Sequence, residues 1–144
     1  MASATESIVV DASVLLALLL PETPDRIAYA TALVTRAHRG EVAMVLPQLA
    51  HIEIAAVVAR KVRGNVITSD QAEAFFGDLA DLAIESIIGA YSAEELYQHA
   101  MNLGCQVADA IYLRAAADNG FGLATLDGGM RQGAKALKLE LFEP

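Results

Sequence analysis

The hydrophobic residues of this chain follow two alternating patterns. Short runs rich in Val, Ile and Leu indicate buried β-strands, whereas longer segments with apolar residues every three or four positions indicate helices. Strands are predicted at residues 8–10, 41–46, 84–88, 121–126 and 140–142. Helices are predicted between residues 12 and 20 and at residues 24–38, 47–63, 69–82, 92–103, 107–119 and 130–137.

Strands that alternate with helices are typical of an α/β fold. The pattern predicts a central, mainly parallel sheet of about four or five strands flanked by helices. The hydrophobic content of 55% agrees with strands covered on both faces. A chain of 144 residues is long enough for one domain with its own core, and we expect residues 1–144 to form a single domain.

Charge and composition exclude several classes of function. The formal net charge of −8 disfavours a broad basic surface for nucleic acid, and the absence of Trp and the scarcity of other aromatics disfavour a base-stacking platform. The apolar run at residues 14–20 is far shorter than the roughly 20 residues of a membrane span. The start of the chain does not resemble a secretory signal, and one cysteine, Cys105, cannot form an internal disulfide, so we expect a cytoplasmic protein.

Four carboxylates stand at unusual positions in this pattern. Asp11 directly follows the strand at residues 8–10, and Asp127 directly follows the strand at residues 121–126. Ligands of open parallel sheets bind at this carboxyl end of the strands. Glu53 and Asp109 each interrupt an otherwise apolar helical segment. Each acid alone could be a helix cap or part of a solvated helix face.

Together the four acids indicate a metal site. A carboxylate among apolar residues is costly to bury unless it is paired or bound to metal, and no Lys or Arg lies in the apolar part of these segments. Carboxylates that meet in one pocket repel each other, and Mg²⁺ or Mn²⁺ would relieve that repulsion. The other helical acids lie among polar residues and are interpreted as solvated faces: Glu73, Asp78, Asp81, Glu94 and Glu95.

These residues resemble the successive motifs of PIN-domain ribonucleases, and the VapC-like toxins of type II toxin–antitoxin pairs match in length and spacing. The resemblance implies a three-layer PIN-like fold over residues 1–144. It also implies divalent-metal-dependent hydrolysis of RNA phosphodiesters, with Mg²⁺ or Mn²⁺ as cofactor. The motifs lie at residues 10–16, at Pro47 and Glu53, at residues 109–113 and at residues 123–127. Carried over by position, the catalytic and metal-binding residues are Asp11, Glu53, Asp109 and Asp127, with the hydroxyls of Ser13 and Thr125 beside them.

The same resemblance implies partners. It implies a homodimer, an RNA substrate and a cognate antitoxin, whose short segment would bind in a groove formed by part of residues 14–20 and the next helix. Without the resemblance, residues 14–20 are interpreted as a fully buried helix. Arg131, Lys135 and Lys138 are spaced to share one helical face, which would either steer RNA phosphates or keep the surface soluble.

Two other functions remain open from the sequence. An aspartate-nucleophile phosphatase also places an Asp after its first strand, but its usual second Asp, two residues later, is Ser13 here. A non-catalytic PIN-like module that binds RNA or protein would keep the fold without the chemistry. After Asp127, Gly128 and Gly129 predict a permissive loop before the last helix.

Overall fold

The computed structural model describes residues 5–144, in which four strands and seven helices alternate along the chain. Each predicted strand except the last has a counterpart, and so does each predicted helix. The strands are β1 (Glu6–Val10), β2 (Val42–Pro47), β3 (Glu85–Ile87) and β4 (Gly122–Ala124). The helices are α1 (Ala12–Leu16), α2 (Pro24–His38), α3 (Gln48–Arg63), α4 (Ser69–Asp81), α5 (Ala93–Leu103), α6 (Val107–Asn119) and α7 (Gly128–Ala136).

The four strands form one parallel sheet in the order β3-β2-β1-β4. This confirms the predicted α/β class with a parallel sheet flanked by helices. Strands β1 and β2 are the two inner strands, and Val9 and Val10 of β1 are fully inaccessible to solvent. The strand predicted at residues 140–142 is wrong, because in the described residues only a single bridge joins Leu141 to Leu123.

Several helix ends follow from local side-chain chemistry. Thr68 and Gln71 form a reciprocal capping box at the start of α4, and Ser92 caps α5 by accepting a hydrogen bond from the backbone of Glu95. Gly104 and Gly120 end α5 and α6 in the left-handed region, at φ 65° and 67°. These signals are local in sequence, and the bounds predicted for α4, α5 and α6 agree with the structure to within one residue.

Three local expectations are wrong. The last helix begins at Gly128 rather than at Met130, because Asp127 caps it, so the two glycines lie in its first turn and form no loop. Residues 14–20 are not one buried helix, since α1 ends at Leu16 and Leu18 is 39% exposed. Lys138 follows the end of α7 with φ 57° and shares no helical face with Arg131 and Lys135.

A glycine in α7 allows this helix to pack closely against α6. A Cβ atom added at Gly133 would lie 2.6 Å from Cδ1 of Leu113, a fully buried side chain of α6. We therefore expect Gly133→Ala to lower the free energy of unfolding by about 1–3 kcal/mol, measured by urea denaturation. Gly128→Ala is the matched control, because nothing lies within 4 Å of its added methyl group. Equal stability of the two variants would contradict close packing between α6 and α7.

None of the helices within residues 5–144 combines the length and the apolar character that a membrane span requires.

Candidate active site

The four carboxylates line one cavity of about 240 Å³. Asp11 follows β1 and Asp127 lies three residues after β4; these strands are parallel neighbours, so their carboxyl ends share one edge of the sheet. Glu53 projects from α3, which follows β2, and Asp109 lies in the first turn of α6. The structure therefore brings together four residues from four parts of the chain. The other lining residues are Ser13, Arg26, Ala108, Tyr112 and Met130.

Larger grooves lie elsewhere on the molecule, but their chemistry differs. One of about 580 Å³ runs between β3, α3 and α6, and one of about 510 Å³ lies between the end of α1, α2 and α4. The lining of both is mainly apolar, whereas the smaller cavity collects titratable side chains. Convergent carboxylates are the better indicator of a catalytic site than cavity size.

Asp11 is held in place by hydrogen bonds from both predicted hydroxyls. Its Oδ2 atom accepts from Ser13 Oγ at 2.8 Å and from Thr125 Oγ1 at 2.9 Å, while Oδ1 accepts from the Ser13 backbone N–H at 3.2 Å. Only 7% of Asp11 is exposed. The last of these bonds caps α1, so Asp11 is both a helix cap and part of the cavity wall.

Thr125 connects the cavity to the C-terminal segment. Its Oγ1 accepts from the Asp127 backbone N–H at 3.1 Å, and its own N–H donates to Tyr29 Oη at 3.2 Å. Tyr29 in turn donates its hydroxyl to the carbonyl of Phe142 at 2.8 Å. Burial raises the pKa of Tyr29 to about 12, so the phenol stays protonated and can donate. The Thr125 carbonyl also accepts from Arg131 at 2.9 Å, and Arg131 pairs with Glu143.

Glu53 is fixed by a buried tyrosine. The hydroxyl of Tyr112 donates to Glu53 Oε1 at 2.9 Å and accepts from the Ala12 backbone N–H at 3.2 Å. Tyr112 is only 1% exposed, and burial raises its pKa far above the ordinary value, so it remains a neutral donor. This contact joins α6, α3 and the start of α1.

The carboxylates of the cavity act on each other electrostatically. The pKa of Glu53 is raised first by burial and then by the charges of Asp11 and Asp109, while the Tyr112 hydrogen bond lowers it. The pKa of Asp109 is raised by burial and then by Asp127 and Asp11, against a backbone hydrogen bond at Gln106. The charges of two other carboxylates thus raise the pKa of each of these two acids. Ionising all four carboxyl groups together therefore costs free energy.

The donor chemistry of the cavity fits a hard divalent cation. All four carboxylates and the Ser13 hydroxyl line the cavity and offer oxygen, the ligand that Mg²⁺ and Mn²⁺ prefer. Within residues 5–144, no three acidic, histidine or cysteine side chains are close enough together to hold a metal ion by themselves. Mg²⁺ commonly keeps several of its own waters and binds through one or two carboxylates, so this wider spacing remains suitable for it.

The repulsion predicts that Asp109→Asn stabilises the metal-free protein at neutral pH. The pKa of Asp109 is higher in the folded state than in the unfolded state. The carboxyl group therefore contributes to stability while it is protonated, and this contribution is lost as the pH rises through the raised pKa. Asparagine removes the charge and keeps a similar shape. We expect a melting temperature in EDTA a few degrees above wild type at neutral pH, with the difference vanishing in acid.

The matched control for this prediction is Asp25→Asn. Asp25 is an exposed acid in the first turn of α2, as Asp109 is in the first turn of α6, so both lose the same favourable helix-dipole interaction. We expect Asp25→Asn to leave the melting temperature unchanged or slightly lowered. An Asp109→Asn protein that melts no higher than the control would contradict repulsion within the cavity.

Sequence reasoning missed three residues of this region. Tyr112 and Tyr29 were not singled out, although a tyrosine inside an apolar segment needs a partner for its hydroxyl, and that signal was available. Arg26 lines the cavity although it lies in a polar helix start, and nothing in the sequence indicated this position. His51, two residues before Glu53, hydrogen-bonds Ser86 Oγ at 2.8 Å and does not line the cavity.

Comparisons with known proteins identify the family. The sequence profile of the PIN domain matches residues 8–136. No curated protein sequence is significantly similar to this chain.

Several solved structures share its fold. PAE2754 from Pyrobaculum aerophilum has a TM-score of 0.61 and 22% identity, over 92% of this chain and 87% of that one. FitAcB from Neisseria gonorrhoeae has a TM-score of 0.59 and 17% identity, over 95% of this chain and 97% of that one. A domain of a functionally unknown protein from Methanocaldococcus jannaschii has a TM-score of 0.51 and 16% identity, over 97% and 91%. These structures agree in fold, and the profile covers most of the chain, which therefore belongs to the PIN domain family.

Proposed function

We propose that this protein is a divalent-metal-dependent endoribonuclease that acts as the toxin of a toxin–antitoxin pair. PIN domains are typically nucleases, and many are toxins of such pairs. The observation that carries the proposal is the single cavity lined by Asp11, Glu53, Asp109 and Asp127 at the carboxyl edge of the sheet. A binding module would have no need for four converging carboxylates, two of which have raised pKa values.

The four carboxylates would hold Mg²⁺ or Mn²⁺. When bound, such a cation supplies Lewis-acid chemistry, because it makes water a stronger acid and offsets charge on the phosphodiester. Ser13 and Thr125 keep Asp11 oriented, and Tyr112 keeps Glu53 oriented. The raised pKa values of Glu53 and Asp109 make them better proton acceptors than exposed carboxylates.

The reaction is a hydrolysis without a covalent protein intermediate. Water attacks phosphorus and gives one proton to a carboxylate, the bond from phosphorus to the 3′ oxygen breaks, and that oxygen takes up a proton. The products carry a 5′-phosphate and a 3′-hydroxyl. The chain's own residues orient the acids and accept the proton.

The proposed antitoxin partner would bind in an apolar groove outside the carboxylate cavity. The groove of about 510 Å³ is lined by Leu18 and Leu19, from the apolar run that the resemblance assigned to antitoxin binding. Apolar side chains of α2 and α4 form much of its walls, and Asp78 and Asp81 also line it. We propose that it receives an amphipathic antitoxin segment with basic residues along one side, because these would complement the two acids. The proposed homodimer is tested by the mass measured in solution.

The test is cleavage of a mixed RNA pool by the purified, antitoxin-free protein. We expect endonucleolytic products with 5′-phosphate ends in Mg²⁺ or Mn²⁺ and none in EDTA, with activity restored when the metal is added back. Mn²⁺ binding is measured in parallel by calorimetry. A protein that binds no Mn²⁺ and cuts no RNA would be the non-catalytic binding module instead, whereas cleavage that persists in EDTA would contradict the metal-dependent mechanism.

A further inference from the structure

Arg26 is the one cation among the residues that line the four-carboxylate cavity in the described part of the chain. It lies in the first turn of α2, where its backbone N–H donates to the capping Thr23. The same side chain also lines a neighbouring groove of about 570 Å³, whose walls include Tyr29, Leu126 and Glu143. Arg26 therefore lies where the cavity meets the groove beside it.

The guanidinium of Arg26 is not engaged by the carboxylates of the cavity. Its ion pair within residues 5–144 is with Glu22, at 3.8 Å between Nε and Oε1, which is too long for a hydrogen bond. The side chains of Arg26 and Glu22 are 43% and 31% exposed, so this contact contributes little. The interactions that lower the pKa values of Glu53 and Asp109 come from a tyrosine hydroxyl and a backbone group, not from Arg26.

The nearest other arginine is committed to structural contacts. Arg131, on α7, donates to the Thr125 carbonyl and pairs with Glu143, so it holds the C-terminal segment. Of these two arginines, Arg26 is the one that lines the cavity and keeps its guanidinium available.

An RNA strand needs such a cation here. The chain carries a net charge of −8 and the cavity collects four acids, so both repel a polyanion that approaches it. A guanidinium offers several N–H donors in a planar fork that matches the oxygens of a phosphate. The N-terminal end of α2, a helix of 15 residues, adds a favourable dipole at the same place.

We propose that Arg26 is a substrate-binding residue that binds a backbone phosphate of RNA next to the cleaved bond and directs the strand from the cavity into the adjacent groove. This inference rests on the proposed nuclease function, because it takes RNA as the ligand. Glu22 competes with the phosphate for the guanidinium. The contact is to the backbone, so it acts on all RNA sequences alike.

The test measures equilibrium binding of a short, mixed-sequence, fluorescein-labelled RNA by anisotropy, in EDTA, over a series of salt concentrations. We expect Arg26→Gln to weaken binding about tenfold and to reduce the slope of log affinity against log salt by about one. Arg26→Lys should keep the slope and recover part of the affinity, because the charge remains without the fork. Glu22→Gln should bind more tightly than wild type.

The matched control is Arg39→Gln. Arg39 is an exposed arginine at the opposite end of α2, so its loss changes the net charge equally but removes no cation from the cavity. We expect its affinity and salt slope to stay close to those of wild type. Equal behaviour of Arg26→Gln and Arg39→Gln, with equal melting temperatures, would overturn the assignment, as would a wild-type protein that does not bind RNA.

Cleavage assays on the same variants separate this inference from the proposed function. If wild type cleaves RNA, Arg26→Gln should raise KM more than it lowers kcat, because the contact is made in the ground state as well as in the transition state. If wild type binds RNA through Arg26 but does not cleave it in Mg²⁺ or Mn²⁺, the nuclease proposal fails and the RNA contact stands. If wild type cleaves RNA, and Arg26→Gln binds and cleaves it as Arg39→Gln does, the proposed Arg26 contact is refuted. The nuclease proposal then stands.

Discussion

Asp11→Asn should reduce metal-dependent RNA cleavage by at least about a thousandfold while the protein stays folded. Asp11 is the most buried of the four acids and lies at the end of the central strand β1, so its carboxylate has little freedom to move away. The amide that replaces it is neutral and binds a hard cation weakly. Activity is lost because the charge is lost, not because the shape changes.

The fold should survive this change because the hydrogen bonds of Asp11 can be rearranged. The remaining carbonyl oxygen can accept from the Ser13 backbone, and the hydroxyls of Ser13 and Thr125 can rotate to accept from the new NH₂ group. We expect a loss of about 1–2 kcal/mol in the free energy of unfolding, measured by urea denaturation.

The control for Asp11→Asn is Asp70→Asn, which removes an exposed acid from the first turn of α4. It should cleave RNA at the wild-type rate. Calorimetry should show weaker Mn²⁺ binding for Asp11→Asn and unchanged binding for the control. An Asp11→Asn protein that keeps about a tenth or more of wild-type activity would contradict the assignment of Asp11 to the catalytic centre.

Tyr112→Phe should lower stability and shift the pH dependence of cleavage at the same time. Removing the hydroxyl leaves the buried N–H of Ala12 without its partner, at a cost of about 1–3 kcal/mol. It also removes the hydrogen bond that lowers the pKa of Glu53, so that pKa rises further above the ordinary value of a glutamate.

The direction of the pH shift follows from this rise. A higher pKa leaves less ionised Glu53 at any given acidic pH, and the proposed mechanism needs an ionised Glu53 to bind the metal. The acid limb of the rate profile should therefore move to higher pH in Tyr112→Phe, while the neutral plateau is less affected. Tyr97→Phe, which removes a hydroxyl from a residue 56% exposed on α5, is the control and should change neither property.

The stability and the pH profile of Tyr112→Phe test two separate roles of this residue. A Tyr112→Phe protein as stable as Tyr97→Phe would show that the buried N–H of Ala12 finds another acceptor. An unshifted acid limb with reduced stability would show that Tyr112 supports the fold but does not act on Glu53.

Much of the fold was predictable because its signals are local. The residues at 8–10 and the region around β2 are β-branched or apolar runs, and Thr68 and Ser92 are cap residues immediately before acidic first turns. Such patterns reflect burial periodicity and backbone capping, which involve neighbours within a few positions. The strand predicted at residues 140–142 is an error of another kind, because a contact with a distant segment decides it: these residues run alongside β4 and form only one parallel bridge with it.

The four acids were also visible in the sequence, because a carboxylate in an apolar segment stands out without any structure. The four acids meet in one cavity because β1 and β4 are parallel neighbours and because α3 and α6 pack at the same edge of the sheet. The order of the strands in the sheet cannot be predicted from any single segment of the sequence. The sequence therefore indicated which acids to consider, and the sheet topology brought them together.

By itself, the sequence determined the alternation of strands and helices, most helix ends and the candidate acids, since each depends on interactions between near neighbours along the chain. Only the tertiary structure decided that Tyr112 fixes Glu53 across 59 positions, that Tyr29 joins Thr125 across 96, and that Arg26 lines the cavity of the carboxylates. These contacts arise from how whole helices pack on the sheet. Contacts among many buried side chains together determine that packing, so no local sequence pattern predicts it.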